Sequence, residues 1–595
     1  MHTTIGRLSR RRLLYVWSGS LLAAITAAAC SAAPPAGGGT PSGGAAPAAG
    51  ATPIQAAPTP AQIVVAQSTG SAAPTAAPTA APAVPTPAAT AAAASAATAR
   101  QKQLVVAVPN SAPTPWPYPR GAAVGGVLLY WSVWEGLYGL DNSDNPQWVP
   151  QLATAFSFSD AGKTFDFTMR PNVKWHNGDP VTADDAVWSL NTFMPKPYPA
   201  YAETFDAAEK IGENQVRIHL KKPDGSLVGM LAWQGWILPQ KYFEKVGEDG
   251  FAKAPIGSGP YRLTNYVQDD YYEMEPFEGH WRGRPYFDRV TVRIVPEDAT
   301  RIAMAQSGEA DVIWGANPRL FEQNRDSAGL KGIAVAGGRI SHYQITASAA
   351  EMWKIDDPAL KPWTDERVRQ AANYAINRPE MVKQLWLGQV TPVPAAIAPT
   401  VMQPAADIAP YEFDPQKAKD LLTQAGYPNG FQTFIVEPAT PSYVLQREMA
   451  QAVANYLTQV GITTQVKFIE NGKLTDMQNH RDQPENVMPL LYRALGAATR
   501  HPSNKGLELR CPADPTDEGT TCDPRINGKF VEGKAILDPQ QSTAFYQTLD
   551  KTVHEAASEI FLWEDPDYFI MRRDVDWKIV GGTTYRYNLW TARRS

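Results

Sequence analysis

The residues that could do chemistry are spread along the chain in patterns that match no common catalytic centre. The sequence contains no HExxH, no GxSxG and no Cys/His cluster with zinc spacing. Its eight histidines are scattered, and His480, His501 and His554 have no partner nearby in sequence. We therefore predict no metal centre, no cofactor and no catalytic step.

Adjacent acidic residues are the remaining route to acid–base catalysis. Three such pairs occur, at Asp184-Asp185, Asp269-Asp270 and Asp356-Asp357. The first pair lies where a helix is expected to begin and the other two where turns are expected, so structural roles explain them more simply. If one of these pairs were catalytic, the protein would be a secreted hydrolase acting on peptides or glycans. We keep this as the alternative to a binding function.

The chain is rich in tryptophan, with 17 residues. Several stand in polar sequence surroundings, namely Trp116, Trp233, Trp236, Trp314 and Trp563. Aromatic rings bring contact area at a low entropy cost and suit peptides, sugars and other amphipathic ligands. For each ring taken singly, core packing explains its presence as well. We take Trp314 and Trp563 as candidate ligand contacts.

Composition limits the class of partner and the compartment. A formal net charge of −5 over 595 residues shows no basic excess, which argues against a nucleic-acid partner. Only three cysteines occur, a usage that is typical of exported proteins. The function must therefore be sought among extracytoplasmic proteins.

Residues 1–30 have the features of an export signal. Arginines precede an apolar run that ends in small residues directly before Cys30, and the run is too short for a comfortable membrane span. Small residues before a lone cysteine resemble a bacterial lipobox, although Ala27 stands where a lipobox favours Leu. We expect Cys30 to carry a lipid that anchors the protein to the cell membrane, facing the periplasm or the exterior. A simple signal peptide is the alternative, and both general and twin-arginine export remain open.

Residues 31–100 form a tether. Apart from the last position, the segment contains no charged or aromatic residue and consists largely of Ala, Pro, Thr, Gly and Ser. It cannot bury enough apolar surface to offset the entropy of ordering, so we expect disorder. Its prolines favour an extended, rather stiff chain.

One stretch, 151–193, predicts a rigid folding unit. Apolar residues alternate on both sides of Ser159–Gly162, with Phe156 and Phe158 before it and Phe165, Phe167 and Met169 after it. This pattern predicts a β-hairpin with one buried face. Thr182, with Asp185 three positions later, then predicts a capped helix.

The second half of the sequence alternates helices and strands. Asp365 and Asp414 are expected to cap helices, and Gly426 to end the second one. Further helices are predicted at 443–460 and 539–557, with strands at 463–469 and 559–563. Helices followed by strands at this spacing indicate α/β layering.

The order of these motifs resembles a known family. The run LATAFSFSDAGKTFDFTMRPNVKWHNGDPVTADDAVWS resembles the signature segment of the bacterial extracellular solute-binding proteins, family 5. These are the dipeptide-, oligopeptide- and nickel-type receptors of ABC importers. More of the family pattern follows in the expected order, at 255–263 (PIGSGPYRL), 279–290, 307–313, 363–388 and 413–430.

The resemblance implies an α/β fold of the two-lobed periplasmic-binding-protein (Venus-flytrap) type, in its large peptide-binding variant. The first lobe would take residues 101–338 and a return segment, 565–595. The second lobe would take residues 339–564. Two crossing strands would join the lobes, and the ligand would lie between them.

The resemblance also implies the ligand contacts. The family's cleft is lined by a first-lobe loop, which 197–201 resembles through Tyr198 and Tyr201. A second-lobe stretch upstream of a disulfide lines the other side, and Leu490–Pro502 resembles it. That stretch contributes Tyr492, Arg493, Arg500 and His501, and Cys511 and Cys522 would form the disulfide.

The second-lobe stretch departs from the family pattern in its charge. Peptide-binding members place an Asp there for the ligand's α-ammonium, but no acidic residue lies between Leu490 and Asn504. Guanidinium groups suit carboxylates and phosphates instead. The sequence thus predicts that Arg493, with Arg500 behind it, holds an anionic end of the ligand. A nickel ligand is disfavoured, because the histidines do not cluster.

These observations predict a monomeric, lipid-anchored solute receptor. It would bind a peptide, a peptide-like solute or an oligosaccharide and deliver it to the permease subunits of an ABC importer. A sensory receptor on the same fold, which passes nothing to a permease, is a further alternative.

Overall fold

The described part of the chain begins just after the predicted tether. The computed structural model describes residues 102–111, 114–118, 124–141, 143, 146–194, 203–496, 499–581 and 588–595. The chain divides into two units, Met1–Ala83 and Val84–Ser595, and every described residue belongs to the second. Within these residues, no helix has the length and apolar character needed to span a membrane.

Within the described ranges, eighteen strands form four sheets. In chain order they are β1 (Gln103–Val108), β2 (Tyr138–Leu140), β3 (Trp148–Pro150), β4 (Ala153–Ser159), β5 (Thr164–Met169), β6 (Phe205–Gly212), β7 (Gln215–Leu220), β8 (Tyr261–Val267), β9 (Tyr271–Pro276), β10 (Arg289–Ile294), β11 (Val312–Trp314), β12 (Leu330–Ile345), β13 (Phe431–Pro438), β14 (Ile462–Ile469), β15 (Leu490–Gly496), β16 (Glu559–Arg572), β17 (Val575–Asp576) and β18 (Arg593–Arg594).

The α-helices cover the faces of these sheets. They are α1 (Val124–Val133), α2 (Ala183–Phe193), α3 (Leu227–Gln234), α4 (Gln240–Lys253), α5 (Asp298–Ser307), α6 (Pro318–Asn324), α7 (Ala347–Met352), α8 (Glu366–Ala375), α9 (Arg378–Leu385), α10 (Pro415–Gln424), α11 (Gln446–Gln459), α12 (Asn471–Asn479), α13 (Lys529–Glu532) and α14 (Pro539–Glu555). Short 3-10 helices lie at Asp160–Gly162, Lys361–Thr364, Pro484–Asn486, Pro502–Leu507, Gly533–Ala535 and Leu589–Thr591.

Two long strands, β12 and β16, join the halves of the main sheet. They pair antiparallel from Leu330↔Arg572 to Gln344↔Glu559, with a register shift between Ala336 and Arg339. The ten-stranded sheet has the order β14-β13-β15-β12-β16-β11-β1-β10-β9-β8. We call the strands on the β11 side, with the helices packed on them, the first lobe, and those on the β15 side the second lobe. The fold is thus the predicted two-lobed α/β architecture with two crossing strands.

The predicted folding unit forms as expected and belongs to a separate four-stranded sheet, β4-β5-β7-β6. Thr182 Oγ1 accepts a hydrogen bond from the Asp185 amide, and the Asp185 carboxylate accepts one from the Thr182 amide, which completes the cap of α2. The prediction of one buried face is wrong for β4, because β4 is the edge strand of this sheet. Phe165 is buried, whereas Phe158 opposite it is 56% exposed.

Helix signals in the second half are confirmed, but the last strand is longer than predicted. Asp365 and Asp414 cap α8 and α10. The strand predicted at 559–563 continues to Arg572 as β16. Its middle residues, Asp565-Pro566-Asp567, resemble a turn in sequence, but pairing with β12 on one side overrides that local preference.

A buried glutamate ties several family motifs together in the first lobe. Glu135, after α1, accepts hydrogen bonds from Trp281 Nε1 at 3.1 Å and from Ser258 Oγ at 3.2 Å, and His280 Nε2 lies 3.3 Å away. Burial opposes its ionisation, but His280, Arg282 and Trp281 hold the pKa of Glu135 below its usual value. The motif PIGSGPY is thereby fixed against α1, so closely that a Cβ at Gly257 would lie 1.8 Å from the Val133 carbonyl oxygen.

We expect Glu135→Leu to lower the free energy of unfolding by about 3 kcal/mol, because Trp281 and Ser258 would lose a buried acceptor. Denaturant unfolding measures this. The control is Glu209→Leu, which removes an exposed Glu–His pair with His219 (2.9 Å) and should change stability little. Equal losses in the two variants would contradict a structural role for the Glu135 cluster.

Candidate functional site

A cavity of about 700 Å³ lies at the hinge between the lobes. On the first-lobe side it is formed where the parallel strands β1, β10 and β11 end, since the carboxyl ends of parallel strands meet at one edge of a sheet. On the second-lobe side it is formed by the loop that joins β13 to α11. The hinge strands close it with Arg339 and the segment 565–568. Its lining is Pro109, Asn110, Ser111, Asp269, Ile294, Pro296, Glu297, Asp298, Arg301, Trp314, Gly315, Asn317, Arg339, Trp386, Thr440, Pro441, Ser442, Tyr443, Val444, Leu445, Glu448, Asp565, Pro566, Asp567 and Tyr568.

An ion pair lies between the hinge strands at this cavity. Arg339 donates to both carboxylate oxygens of Asp567, at 2.9 and 3.2 Å. Trp314 Nε1 lies 3.4 Å from Asp567 Oδ1, and its ring stacks on Phe569. A bidentate pair of this kind is geometrically specific, so it fixes the two strands to each other beside the register shift.

A second carboxylate in the same strand, Asp565, is less completely neutralised. Its Oδ1 accepts a hydrogen bond from Ser341 Oγ at 2.6 Å, and Ser341 is also 2.5 Å from the hydroxyl of Tyr492. Burial raises the pKa of Asp565 to about 6, with Arg339 and Ser341 acting in the opposite direction. This carboxyl group therefore titrates close to neutral pH.

Several buried polar atoms on the cavity wall are left for a ligand. Among the described residues, Asn110 Oδ1, Trp386 Nε1 and Tyr568 OH have no hydrogen-bond partner in the protein, and all three residues line the cavity. Unsatisfied buried polar groups are rare in folded proteins. Their convergence on one cavity between two lobes is typical of a ligand site.

The lobes also meet at an interlobe seam, which we define as Asp224–Gly229 of the first lobe with Thr499–His501 and Lys534 of the second. The Gly225 amide donates to the Lys534 carbonyl at 2.8 Å, and Lys534 Nζ lies 3.5 Å from the buried carboxylate of Asp224. At Gly229 the lobes are so close that a Cβ would lie 2.3 Å from the Thr499 carbonyl oxygen. The lobes are therefore in direct contact at this seam as well as at the hinge.

Two of the predicted ligand contacts, Arg500 and His501, lie at this seam. Arg500 has a φ of +51°, which is a strained conformation for a residue other than glycine. Burial lowers the pKa of Arg500, and the negative charges of Asp141 and Glu564 partly oppose this shift. Burial likewise lowers the pKa of His501 to about 4, so its ring is neutral at pH 7.

The structure separates Tyr492 from Arg493. Successive side chains of a strand point to opposite faces, so Tyr492 reaches Ser341 near the hinge cavity while Arg493 lies on the other face of the sheet. There Arg493 Nε donates to Gln344 Oε1 at 3.3 Å, and Glu518 Oε1 is 3.9 Å from its Nη2. Arg493 does not line the hinge cavity.

The remaining predicted residues divide into three groups. Trp314 lines the hinge cavity with one edge, whereas Trp563 is fully buried in the second-lobe core against Trp386. Cys511 and Cys522 form a disulfide. Tyr198, Tyr201 and Cys30 lie outside the described residues.

Sequence reasoning missed the acids of the hinge. The segment from Glu559 to Met571 is apolar except for its first residue and three acids, Glu564, Asp565 and Asp567. Charged side chains in a buried strand need partners or a function, and this signal could have identified them.

The comparison with known proteins decides the family. The model described as bacterial extracellular solute-binding proteins, family 5 Middle, matches residues 147–504. This chain belongs to that family. The chain is accordingly an extracytoplasmic solute-binding protein of the kind that serves ABC transporters.

Similar proteins of known name support this membership. The glutathione-binding protein GsiB of Escherichia coli K12 is 31% identical over 408 residues, which cover 67% of this chain and 75% of GsiB. GsiB of Salmonella typhi is 31% identical over 460 residues, which cover 75% of this chain and 86% of that protein.

Solved structures share the fold of this family 5 protein. The periplasmic binding protein DppA of Helicobacter pylori in complex with the peptide STSA has a TM-score of 0.70 at 21% identity, covering 84% of this chain and 99% of DppA. The oligopeptide-binding protein AppA of Bacillus subtilis in complex with a nonapeptide has a TM-score of 0.69 at 19% identity, covering 83% of this chain and 99% of AppA.

The close approach of the lobes at Gly229 predicts that one added methyl group there can hold the lobes apart. We expect Gly229→Ala to enlarge the radius of gyration in small-angle scattering and to weaken ligand binding at least about tenfold, which corresponds to about 1.4 kcal/mol against closure. Alanine suits a helix better than glycine, and within the first lobe the added Cβ would lie 3.1 Å from Trp148 Cζ2, a smaller overlap than the one with Thr499.

Gly225→Ala is the matched control. A Cβ at this position would lie 3.5 Å from the nearest atoms across the same seam, an ordinary contact. We expect this variant to close and to bind like the parent protein. Similar behaviour of the two variants would show that the Gly229–Thr499 contact does not limit closure.

Proposed function

We propose that this family 5 receptor binds a peptide or peptide-like solute in the hinge cavity and holds the ligand's ammonium group with Asp565. The observation that carries the proposal is the charge of the cavity wall. Acidic side chains outnumber basic ones, with Asp269, Glu297, Asp298, Glu448, Asp565 and Asp567 against Arg301 and Arg339. A wall of this sign attracts a cationic group.

The two arginines of the wall are committed to protein groups. Arg339 is paired with Asp567, and Arg301 donates to the carbonyl oxygens of Val295, Pro296 and Gly315. Asp565 has a hydroxyl partner and no direct ion pair among the described residues. It is therefore the carboxylate best placed to receive an ammonium group.

Similar proteins support a peptide-like ligand. Two relatives are named as glutathione-binding proteins, and two structural neighbours contain bound peptides. We extend this ligand class to the present protein, with an amino group as its recognised feature.

The proposal replaces the sequence-based hypothesis of an anionic-end grip by Arg493. Arg500 lies at the seam, and binding of an anionic group at the other end of the ligand by Arg500 remains the alternative. Tyr198 and Tyr201 remain proposed first-lobe contacts by family resemblance.

Calorimetry with di- to tetrapeptides, their N-acetyl forms and their C-terminal amides separates the two modes of recognition. We expect acetylation to abolish binding and amidation to be tolerated. Affinity should increase from pH 5 to pH 7, because the pKa of Asp565 is about 6 and only the ionised carboxyl attracts the ammonium group. Loss of binding on amidation alone would instead support the arginine hypothesis.

Asp565→Asn should weaken peptide binding by on the order of 2–4 kcal/mol and remove the pH dependence, since a buried ammonium group would lose its counter-charge. Asp269→Asn, an exposed acid on the same wall, is the matched control and should have a small effect. Equal effects would assign recognition to the overall charge of the wall rather than to Asp565.

We assign no catalytic step to this receptor, and we place the lobe boundaries at 338/339 and 564/565. The register shift between β12 and β16 at this level supports these boundaries. Incubation of a bound peptide with the protein should return it unchanged, whereas a cleaved product would favour a hydrolase. Neighbouring genes for permease and ATPase subunits would favour import over a purely sensory role.

We also propose that the monomeric receptor is anchored through a lipid on Cys30 and spaced from the membrane by residues 31–100. Cys30→Ala should release the protein into the soluble fraction, because anchoring depends on the acyl chains. A variant that stays in the membrane fraction with unchanged gel mobility would argue against lipidation.

A further inference from the structure

A buried charge cluster lies beneath the second-lobe side of the interlobe seam. At its centre is Lys505, whose Nζ lies 2.6 Å from Glu508 Oε2, 3.0 Å from Glu559 Oε1 and 3.2 Å from His342 Nε2. None of these four residues is more than 5% exposed. Lysine is almost never buried to this extent without partners.

Lys505 Nζ lies among three polar groups, each from a different residue. An ammonium group has three N–H donors and no acceptor, and Nζ donates a hydrogen bond to Glu508 Oε2 and pairs with the Glu559 carboxylate by charge. His342 Nδ1 lies 3.0 Å from the Ile340 carbonyl oxygen, which can only accept, so Nδ1 carries a proton. Nε2 faces the Lys505 ammonium group and also lies 3.2 Å from Glu508 Oε2 and 3.3 Å from Glu559 Oε1.

The charges of the cluster stabilise one another. Burial alone would lower the pKa of Lys505, but Glu508 and Glu559 raise it above its usual value. Burial would raise the pKa of Glu508, but the Lys505 ammonium holds it well below its usual range. His342 and, less strongly, Arg493 also lower the pKa of Glu508. The central pair is thus ionised at neutral pH.

The acceptors have the arrangement of a metal site. One atom each of His342, Glu508 and Glu559 lies within 4.8 Å of the other two. Imidazole and carboxylate groups from separate segments are common ligands of Zn²⁺ and Co²⁺. In this protein the position that such an ion would take is filled by the Lys505 ammonium group.

The cluster joins three segments of the second lobe. His342 belongs to β12 and Glu559 begins β16, whereas Lys505 and Glu508 follow Thr499–His501 at the interlobe seam. We propose that Lys505 serves as a built-in substitute for a metal ion, which pins the segment 499–508 to both hinge strands and so positions the second-lobe side of the ligand cleft. The inference that Lys505 positions the cleft rests on the proposed function, whereas the inference about the cation site is independent of it.

The first experiment tests the cation site alone. Lys505→Ala leaves His342, Glu508 and Glu559 around an empty position. We expect this variant to bind a single Co²⁺ with a visible d–d absorption band and to gain thermal stability with Zn²⁺. The wild-type protein and Lys505→Ala/His342→Gln should do neither. Absence of the band in folded Lys505→Ala would overturn the comparison with a metal site.

The second experiment tests positioning. Lys505→Ala should weaken peptide binding about 10- to 100-fold, by analogy with the loss caused by removing groups that orient metal ligands, and Zn²⁺ should restore the affinity. Loss of affinity without rescue by Zn²⁺, in protein that binds Co²⁺, would overturn the positioning role. If the wild-type protein binds no peptide, the proposed function fails and the Co²⁺ result still stands.

A charge-balanced variant covers the case in which Lys505→Ala does not fold. Lys505→Met/Glu559→Gln removes one charge of each sign, so we expect it to fold, to bind no Co²⁺ and to show the same loss of peptide affinity. Peptide binding at wild-type affinity in this variant would overturn the proposal.

Discussion

The pairing of β12 with β16 is the constraint on which the rest of the structure depends. These two strands run through both lobes, and every other strand of the main sheet is attached to them directly or through a neighbour. The register shift between Ala336 and Arg339 lies where the first-lobe half of the sheet gives way to the second. Gly338 has a φ of +71° there, a conformation that glycine adopts without strain. Motion of the lobes can therefore concentrate at this level while each half-sheet stays intact.

The same strands place charge at the hinge. Asp567 lies two positions after Asp565 in β16, so both side chains point to the cavity face. Arg339 pairs with Asp567, whereas burial raises the pKa of Asp565. On the second-lobe side, Lys505 performs the corresponding task for Glu508 and Glu559. Both clusters thus join separate segments: Arg339 and Asp567 link β12 to β16, and Lys505 links the segment 505–508 to both of these strands.

Local signals in the sequence were sufficient for the elements that local interactions stabilise. The hairpin β4–β5 and the cap at Thr182 follow from alternation and from residues three positions apart. The hinge strands could not be found in this way, because Gly337-Gly338 and Asp565-Pro566-Asp567 are breaker sequences. They lie within strands only because β12 and β16 pair with each other across more than 200 residues. Arg493 shows the same limit. Its charge predicts a ligand contact, but the sequence alone does not show which face of the sheet the side chain occupies, because that face is set by the β12–β15 pairing.

Hydrogen exchange measured with and without a bound peptide tests the central claim, that the ligand lies in the hinge cavity and contacts both lobes. We predict slower amide exchange in 294–301 and 315–317 of the first lobe together with 440–448 of the second and 565–568 of the hinge, because these segments enclose the cavity. Protection of only one lobe at saturating peptide, or protection elsewhere with these four segments unchanged, would contradict the account.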